Sequence, residues 1–265
     1  MEELLFFPKP LTDPTRLLVE GDTERQLCRV IDEQSNRLKL AEHGYRPKAR
    51  LLFWGPPGCG KTMTAHYLSI RLGLPLAVLQ ISSAISSFLG ETASRIQQAF
   101  DAANQSPMML FLDEVDAIAK DRDDEHDVGE LKRVVNSLLQ ALDSFRDGKS
   151  ILVAASNHQY LLDSAVWRRF DTVIRFPLPS EKAREEFMRQ LLSGVRVVGS
   201  LTPAAKASHR LSYADVERAV TEAVKTMILT GRDELRGGDV AEEVKLVRKQ
   251  MSQARKRLPR TPRDT

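Results

Sequence analysis

Cysteine is scarce. Of 265 residues only Cys28 and Cys59 carry a thiol, which gives neither a disulfide framework nor the paired spacing of a zinc site. That scarcity predicts a reducing compartment. Long apolar runs are missing too: nothing approaches the ~20 residues a bilayer-spanning helix needs, and Met1-Glu-Glu-Leu lacks the basic start of a signal peptide. A cytoplasmic protein with no membrane partner is expected. The charge imbalance is small, since 39 basic against 36 acidic side chains leave +3, too little by itself to argue for nucleic acid. Internal repeats are absent, as are low-complexity segments apart from the polar ends. What remains is 42% hydrophobic and 28% charged, a globular composition in a chain long enough for one domain of ordinary size and a smaller one.

The stretch that organises the chain is Gly55-Pro56-Pro57-Gly58-Cys59-Gly60-Lys61-Thr62. It follows an apolar run, Leu51 to Trp54, and opens an apolar-periodic segment, Met63 to Leu72. Three glycines without a Cβ let the chain curl with its N–H groups turned inward, and the helix that follows adds its positive end, so an anion is held. Lys61 then reaches the β- and γ-phosphates as a point charge, and the Thr62 hydroxyl can ligate Mg²⁺. Cys59 reads as a small filler, because phosphoryl transfer needs no thiol nucleophile.

Apolar runs at Leu76–Ile81, Met108–Leu112, Ile151–Ala155 and Thr172–Phe176 read as further strands. Between them, Glu91–Ala103 and Leu131–Leu142 have helical spacing. Five strands alternating with helices predict an α/β fold with a parallel sheet covered on both faces, its ligand site at the C-terminal strand ends. Before the loop, three prolines in residues 1–20 suggest an extended lead-in, and Thr23 to about Ala41 reads as one helix. Beyond Pro177 the pattern is helical throughout, with Ser180 as one cap and Ser212 with Asp215 as a capping box.

Chemistry gathers at the strand ends. Met108-Met-Leu-Phe-Leu-Asp113-Glu114 ends in two carboxylates, of which Asp113 can hold Mg²⁺ and Glu114 can orient and deprotonate a water. Ala154-Ala-Ser-Asn157 ends in an amide able to bond both γ-phosphate and attacking water; the plainer reading is an Asn that starts a turn. Arg168 and Arg169 are an ordinary solvated pair unless the site is shared, in which case a neighbour's guanidinium can stabilise the transferring phosphoryl. Sharing of that kind requires a heterologous interface and hence a ring or spiral.

Taken with Phe111-Leu-Asp-Glu-Val-Asp116, Val134 to Asp143, Leu162 to Asp171 and Leu211 to Glu217, these residues resemble the AAA clade of the AAA+ ATPases from about Leu51 to Met227. The resemblance implies a P-loop ATPase module with a helical lid, active as a hexamer. It implies ATP and Mg²⁺ held by residues 55–62 with Met63, Asp113 and Ala214, Thr62 and Asp113 being the metal ligands. It makes Glu114 and Asn157 catalytic and Arg168 and Arg169 the arginine fingers. Phe88-Leu89-Gly90 fits the family's aromatic-hydrophobic-Gly pore loop; the acids from Asp121 to Glu130 read as a solvated charged loop, which would favour basic substrate segments if it lies in the pore as the family's second pore loop does. Domains are then expected at 1–22 (lead-in), 23–177 (ATPase core), 178–250 (lid) and 251–265 (basic flexible tail).

Two departures stand out. Family members often space the arginines as Arg-Pro-Gly-Arg, whereas here they are adjacent, and Tyr213 replaces a common Gly. Small stand-alone bacterial modules of this type resemble ones encoded beside a subtilisin-like peptidase. Fifty residues precede Leu51, so recognition is expected from the pore loops, the ends, or an adaptor or peptidase partner. Three readings follow. The favoured one is a ring that remodels, unfolds or threads a protein. The alternatives are a nucleic-acid motor or loader served by the basic tail, and an ATP-controlled scaffold.

Overall fold

The computed structural model describes residues 18–81, 89–117, 128–145, 149–158 and 164–257. They fall into two units: one takes in the chain up to Pro56 and Gly60–Phe176, the other Pro57–Cys59 and everything from Pro177 onward.

The first unit is built on five parallel strands, β1 (Arg50–Trp54), β2 (Leu76–Gln80), β3 (Met109–Asp113), β4 (Ile151–Ser156) and β5 (Thr172–Arg175), in the order β2-β3-β4-β1-β5. The three central strands are buried almost end to end, which is why they read as unbroken apolar runs. Two helices, α4 (Leu89–Gln105) and α5 (Val128–Ser144), pack together over Leu52, Leu110, Leu112, Leu152 and Ala154. They contribute Ile96, Phe100, Leu138 and Leu142 to this layer. Alternate strand residues, Leu51, Phe53, Met109, Phe111 and Val153, are equally buried on the opposite face. There α3 (Lys61–Leu72) packs against β3 and β4, and α1 (Gly21–Ser35) against α3 and β5.

The helix expected over Thr23–Ala41 is two helices. It breaks at Asn36, whose side chain donates to the Asp32 carbonyl, and resumes as α2 (Arg37–Glu42), which buries no residue and leaves Leu38 78% exposed. A short side chain that bonds nearby backbone competes with the helical ladder, and here it wins.

In the second unit, α7 (Glu181–Leu191) is capped by the Ser180 hydroxyl, and α9 (Tyr213–Leu229) by the reciprocal Ser212–Asp215 box. Its core joins Phe187, Met188, Val216, Val220, Val240 and Val244. The all-helical expectation needs correcting: β6 (Val197–Val198) and β7 (Leu235–Arg236) pair as a short parallel ribbon. A short helix, α8 (Thr202–Ala207), lies between them in sequence, and α10 (Gly237–Arg257) closes the described chain. That last helix runs past residue 250, so the beginning of the expected basic tail is helical; residues 258–265 lie outside the described ones.

Candidate active site

The strand order decides what can meet. With β3, β4 and β1 side by side, Leu112 aligned with Ala154 and Trp54 with Ser156, the chain leaves the sheet at neighbouring points at Asp113, Asn157 and Gly55. Two backbone bonds tie the exits together. Gly55 donates to the Ser156 carbonyl at 3.3 Å, and Val115 to the Ala155 carbonyl at 3.0 Å.

Gly55 must be glycine for a steric reason. Its φ is +150°, and a Cβ there would stand 2.1 Å from the Phe176 carbonyl oxygen. Gly60 opens α3 in the left-handed region at φ +93°, a backbone conformation that favours glycine, so the positive end of that helix stands at the end of the loop. Pro56, Pro57 and Gly58 are exposed, Cys59 is buried, and Met63 is partly exposed. Pro57–Cys59 group with the second unit, where the Ala214 amide donates to the Gly58 carbonyl at 3.2 Å. Tyr213, the departure from the family pattern, packs edge-on against Phe187 at 5.0 Å in the same unit.

Lys61 is 7% exposed, and its ammonium donates to the Gly55 carbonyl (2.7 Å), the Pro56 carbonyl (3.1 Å) and Asn157 Oδ1 (2.7 Å). The cation is thus held at the loop mouth by neutral acceptors, which an incoming phosphate can outcompete. Thr62 Oγ1 lies 3.3 Å from Asp113 Oδ2. Burial pushes the Asp113 carboxyl above its ordinary value, and the neighbouring Glu114 charge adds to this against the pull of the Glu114 amide. A half-buried carboxylate that resists ionisation, beside a hydroxyl and a second acid, suits a divalent cation. Mg²⁺ typically takes one or two carboxylates, keeps waters and borrows substrate phosphates, so Thr62 and Asp113 fit it.

Glu114 is exposed and sits in the left-handed region at φ +55°. Only Val115 and Asp116 separate it from Ala117, whose amide donates to the Glu114 carbonyl at 2.9 Å. Non-glycine residues adopt that conformation only when their surroundings enforce it, and such strain gathers at functional sites. The enforcing contacts are the Glu114 amide on Asp113 Oδ1 (2.9 Å) and the Val115 bond to β4. Asp116 is fully buried in the same turn, its Oδ1 accepting the Asn157 backbone amide at 3.1 Å.

The arginines follow α6 (Ser164–Trp167) and are treated differently. Arg169 donates twice to the Asp143 carboxylate of α5 (2.7 and 3.0 Å) and to the Ala165 carbonyl (2.7 Å). Arg168 is exposed. Asp171 anchors the turn behind them, accepting from the Ala49 and Arg50 amides and from the Arg50 guanidinium. Asp116, Asp143 and Asp171 stand inside the family motifs with no role apparent from sequence, because their partners, Asn157, Arg169 and residues 49–50, are far away along the chain. Phe88 and Asp121–Asp127 lie outside the described residues, while Leu89 and Gly90 begin α4.

A model of the ATPase family associated with various cellular activities (AAA) matches residues 51–178. An uncharacterized AAA family ATPase, y4kL, of Sinorhizobium fredii is 38% identical over 223 residues, 84% of this chain and 67% of that protein. The chain belongs to the AAA family of ATPases. Other relatives are longer proteins, of which the matched region is half or less. The ATP-dependent zinc metalloprotease FtsH 2 of Symbiobacterium thermophilum is 32% identical over 85% of this chain and 39% of its own length. Proteasome-activating nucleotidase 2 of Haloferax volcanii is 33% identical over 76% of this chain and 50% of its own. As an AAA ATPase the protein hydrolyses ATP, and its five-stranded parallel sheet with flanking helices is the P-loop AAA fold. Among the described residues no helix is long and apolar enough to cross a membrane.

Proposed function

We propose that this AAA ATPase works as a homo-oligomeric ring, a hexamer on the family resemblance, that spends Mg²⁺-dependent ATP hydrolysis on remodelling or threading a protein. The meeting of Lys61 with Asn157 and of Thr62 with Asp113 at one sheet edge carries the reading. In it, Lys61 binds the β- and γ-phosphates, with residues 55–62 and Met63 around them, the non-proline ones offering backbone N–H groups, and Ala214 is assigned to the nucleotide. Glu114 takes the proton of the attacking water, and Asn157 orients that water against the γ-phosphate. Thr62 and Asp113 would hold Mg²⁺, which would supply neutralising charge to the phosphates.

Of the two arginines, Arg168 is the one we assign to the neighbouring subunit's triphosphate. Arg169 is engaged by Asp143 and serves to hold the turn, a division supported by its two-pronged ion pair. Phe88, Leu89 and Gly90 are assigned to the grip on the substrate. The names of the FtsH and proteasome-activating relatives favour protein as the substrate class and a peptidase or adaptor as a partner.

The test is Glu114→Gln. This variant should bind ATP as the parent does and lose turnover by roughly 10²- to 10⁴-fold, the contribution of a positioned general base. Unfolded protein should stimulate the parent and leave the variant unmoved. Turnover of the variant equal to the parent's would remove Glu114 from the chemistry and favour an ATP-controlled scaffold. A nucleic-acid motor has one observation in its favour, the exposed Lys245, Arg248 and Lys249 on α10; stimulation by DNA and not by unfolded protein would select it.

A further inference from the structure

We infer that Asp116 is a positioning residue that sets Glu114 and Asn157 at a fixed separation; the inference rests on the reading of those two as the water-activating pair. Its carboxylate is fully buried, an expensive place for an acid unless something specific is gained. What Oδ1 holds is the backbone amide of Asn157, the first residue past β4. The Asn157 side chain in turn accepts from the Lys61 ammonium, so one carboxylate steadies the amide group that touches the phosphate-binding cation.

The other end of the link is the strained turn. Asp116 stands two residues from Glu114, inside the turn closed by the Ala117 amide on the Glu114 carbonyl. Glu114 keeps its left-handed backbone only while that turn is clamped to β4. The Val115 amide on the Ala155 carbonyl provides a backbone clamp. Asp116 adds a side-chain clamp reaching two residues further, to Asn157. If Asp116 were there only to close the turn, the bond at Ala117 would already suffice. Reaching Asn157 is the extra act, and it joins the two groups between which an attacking water has to sit. Effects of about 10²-fold follow when catalytic groups move by an ångström.

The experiment compares Asp116→Ala, Asp116→Asn, Asn157→Ala and the double variants in the full chain. Steady-state ATP turnover, the affinity for a fluorescent ATP analogue and the thermal midpoint are read for each. Asp116→Ala should lower kcat on the order of 10- to 100-fold while the analogue's affinity stays within about threefold. Asp116→Asn, which keeps an acceptor oxygen, should recover most of that loss. Because Asp116 acts through Asn157, each double variant should turn over no more slowly than Asn157→Ala alone. Should Asp116→Ala not fold, Asp116→Leu, of similar size but with no acceptor oxygen, takes its place in the cycle with the same expected outcome. Parental kcat in Asp116→Ala, or losses that multiply in the double variants, would overturn the inference while leaving Asn157 its role. Parental kcat in Asn157→Ala would instead sink the underlying assignment and the inference together.

Discussion

Replacing Gly55 by alanine is the sharpest test of how the loop is seated on the sheet. The added methyl would stand 2.1 Å from the Phe176 carbonyl oxygen and 2.9 Å from its carbon, about 1.3 Å inside the 3.4 Å at which ordinary contact begins. Its neighbour is backbone and cannot swing aside. Either the end of β5 moves out, losing the Phe176 amide bond to Trp54 (2.7 Å) and loosening the Phe53–Phe176 ring contact (4.9 Å), or the loop itself shifts. Overpacking of this kind costs about 1–3 kcal/mol and an unfavourable φ about 1–3 kcal/mol more, so a loss of roughly 2–6 kcal/mol is expected. At about 2–4 °C per kcal/mol for a chain of this size, the melting midpoint should fall by roughly 4–24 °C. Gly73→Ala is the control. Gly73 also has positive φ (+65°), but nothing lies within 4 Å of its would-be Cβ, so only the backbone penalty remains and the shift should be much smaller. Thermal and urea melts of the three proteins without nucleotide decide the matter. A Gly55→Ala midpoint equal to that of Gly73→Ala would refute the steric reasoning.

Two further outcomes follow from the carboxylates. Burial holds Asp113 above its ordinary 3.8, so its ionisation opposes folding, and its contribution to stability falls as pH rises through the window from 3.8 to that raised value. Asp113→Asn should therefore be more stable than the parent in urea melts at pH 7, with the gain shrinking as pH drops toward 4, while Mg²⁺-dependent turnover is lost; a gain that grows on acidification would contradict this. Asp171→Ala should cost about 2–3 kcal/mol in urea melts, since it strips two amides and the Arg50 guanidinium of a charged acceptor and leaves the amide of buried Ala49 unmatched. A loss of less than about 0.5 kcal/mol, the ordinary range for surface substitutions, would show the anchor to be idle.

The central strands were legible because each is covered on both faces, so burial wrote itself as a continuous apolar run, and the phosphate loop because its glycines and lysine act within eight residues. Contacts across long stretches of sequence were not. Nothing near Gly55 announces a carbonyl at residue 176, and nothing in Val197–Val198 announces pairing with Leu235–Arg236. Leu38 and Leu40 continued the apolar stripe of α1 well enough to hide the break that Asn36 makes by bonding backward to Asp32. Adjacent Arg168 and Arg169 looked equivalent, because what distinguishes them is Asp143, 26 residues away on another helix. The alternation of strands and helices established a parallel sheet, but the order β2-β3-β4-β1-β5, which brings Asp113, Asn157 and Gly55 together, depends on which strands pair.

The central claim is that each ATP site is completed by the next subunit, and mixing two crippled proteins tests it most directly. Glu114→Gln lacks its own base but still offers Arg168; Arg168→Ala keeps its base but offers no guanidinium. Each alone should be nearly inactive. Co-assembled in equal amounts, they should recover up to about a quarter of parental turnover, the share of interfaces that pair an intact pocket with an intact arginine when subunits mix at random. A mixture as inactive as its components, or an Arg168→Ala protein that hydrolyses ATP at the parental rate alone, would contradict the account.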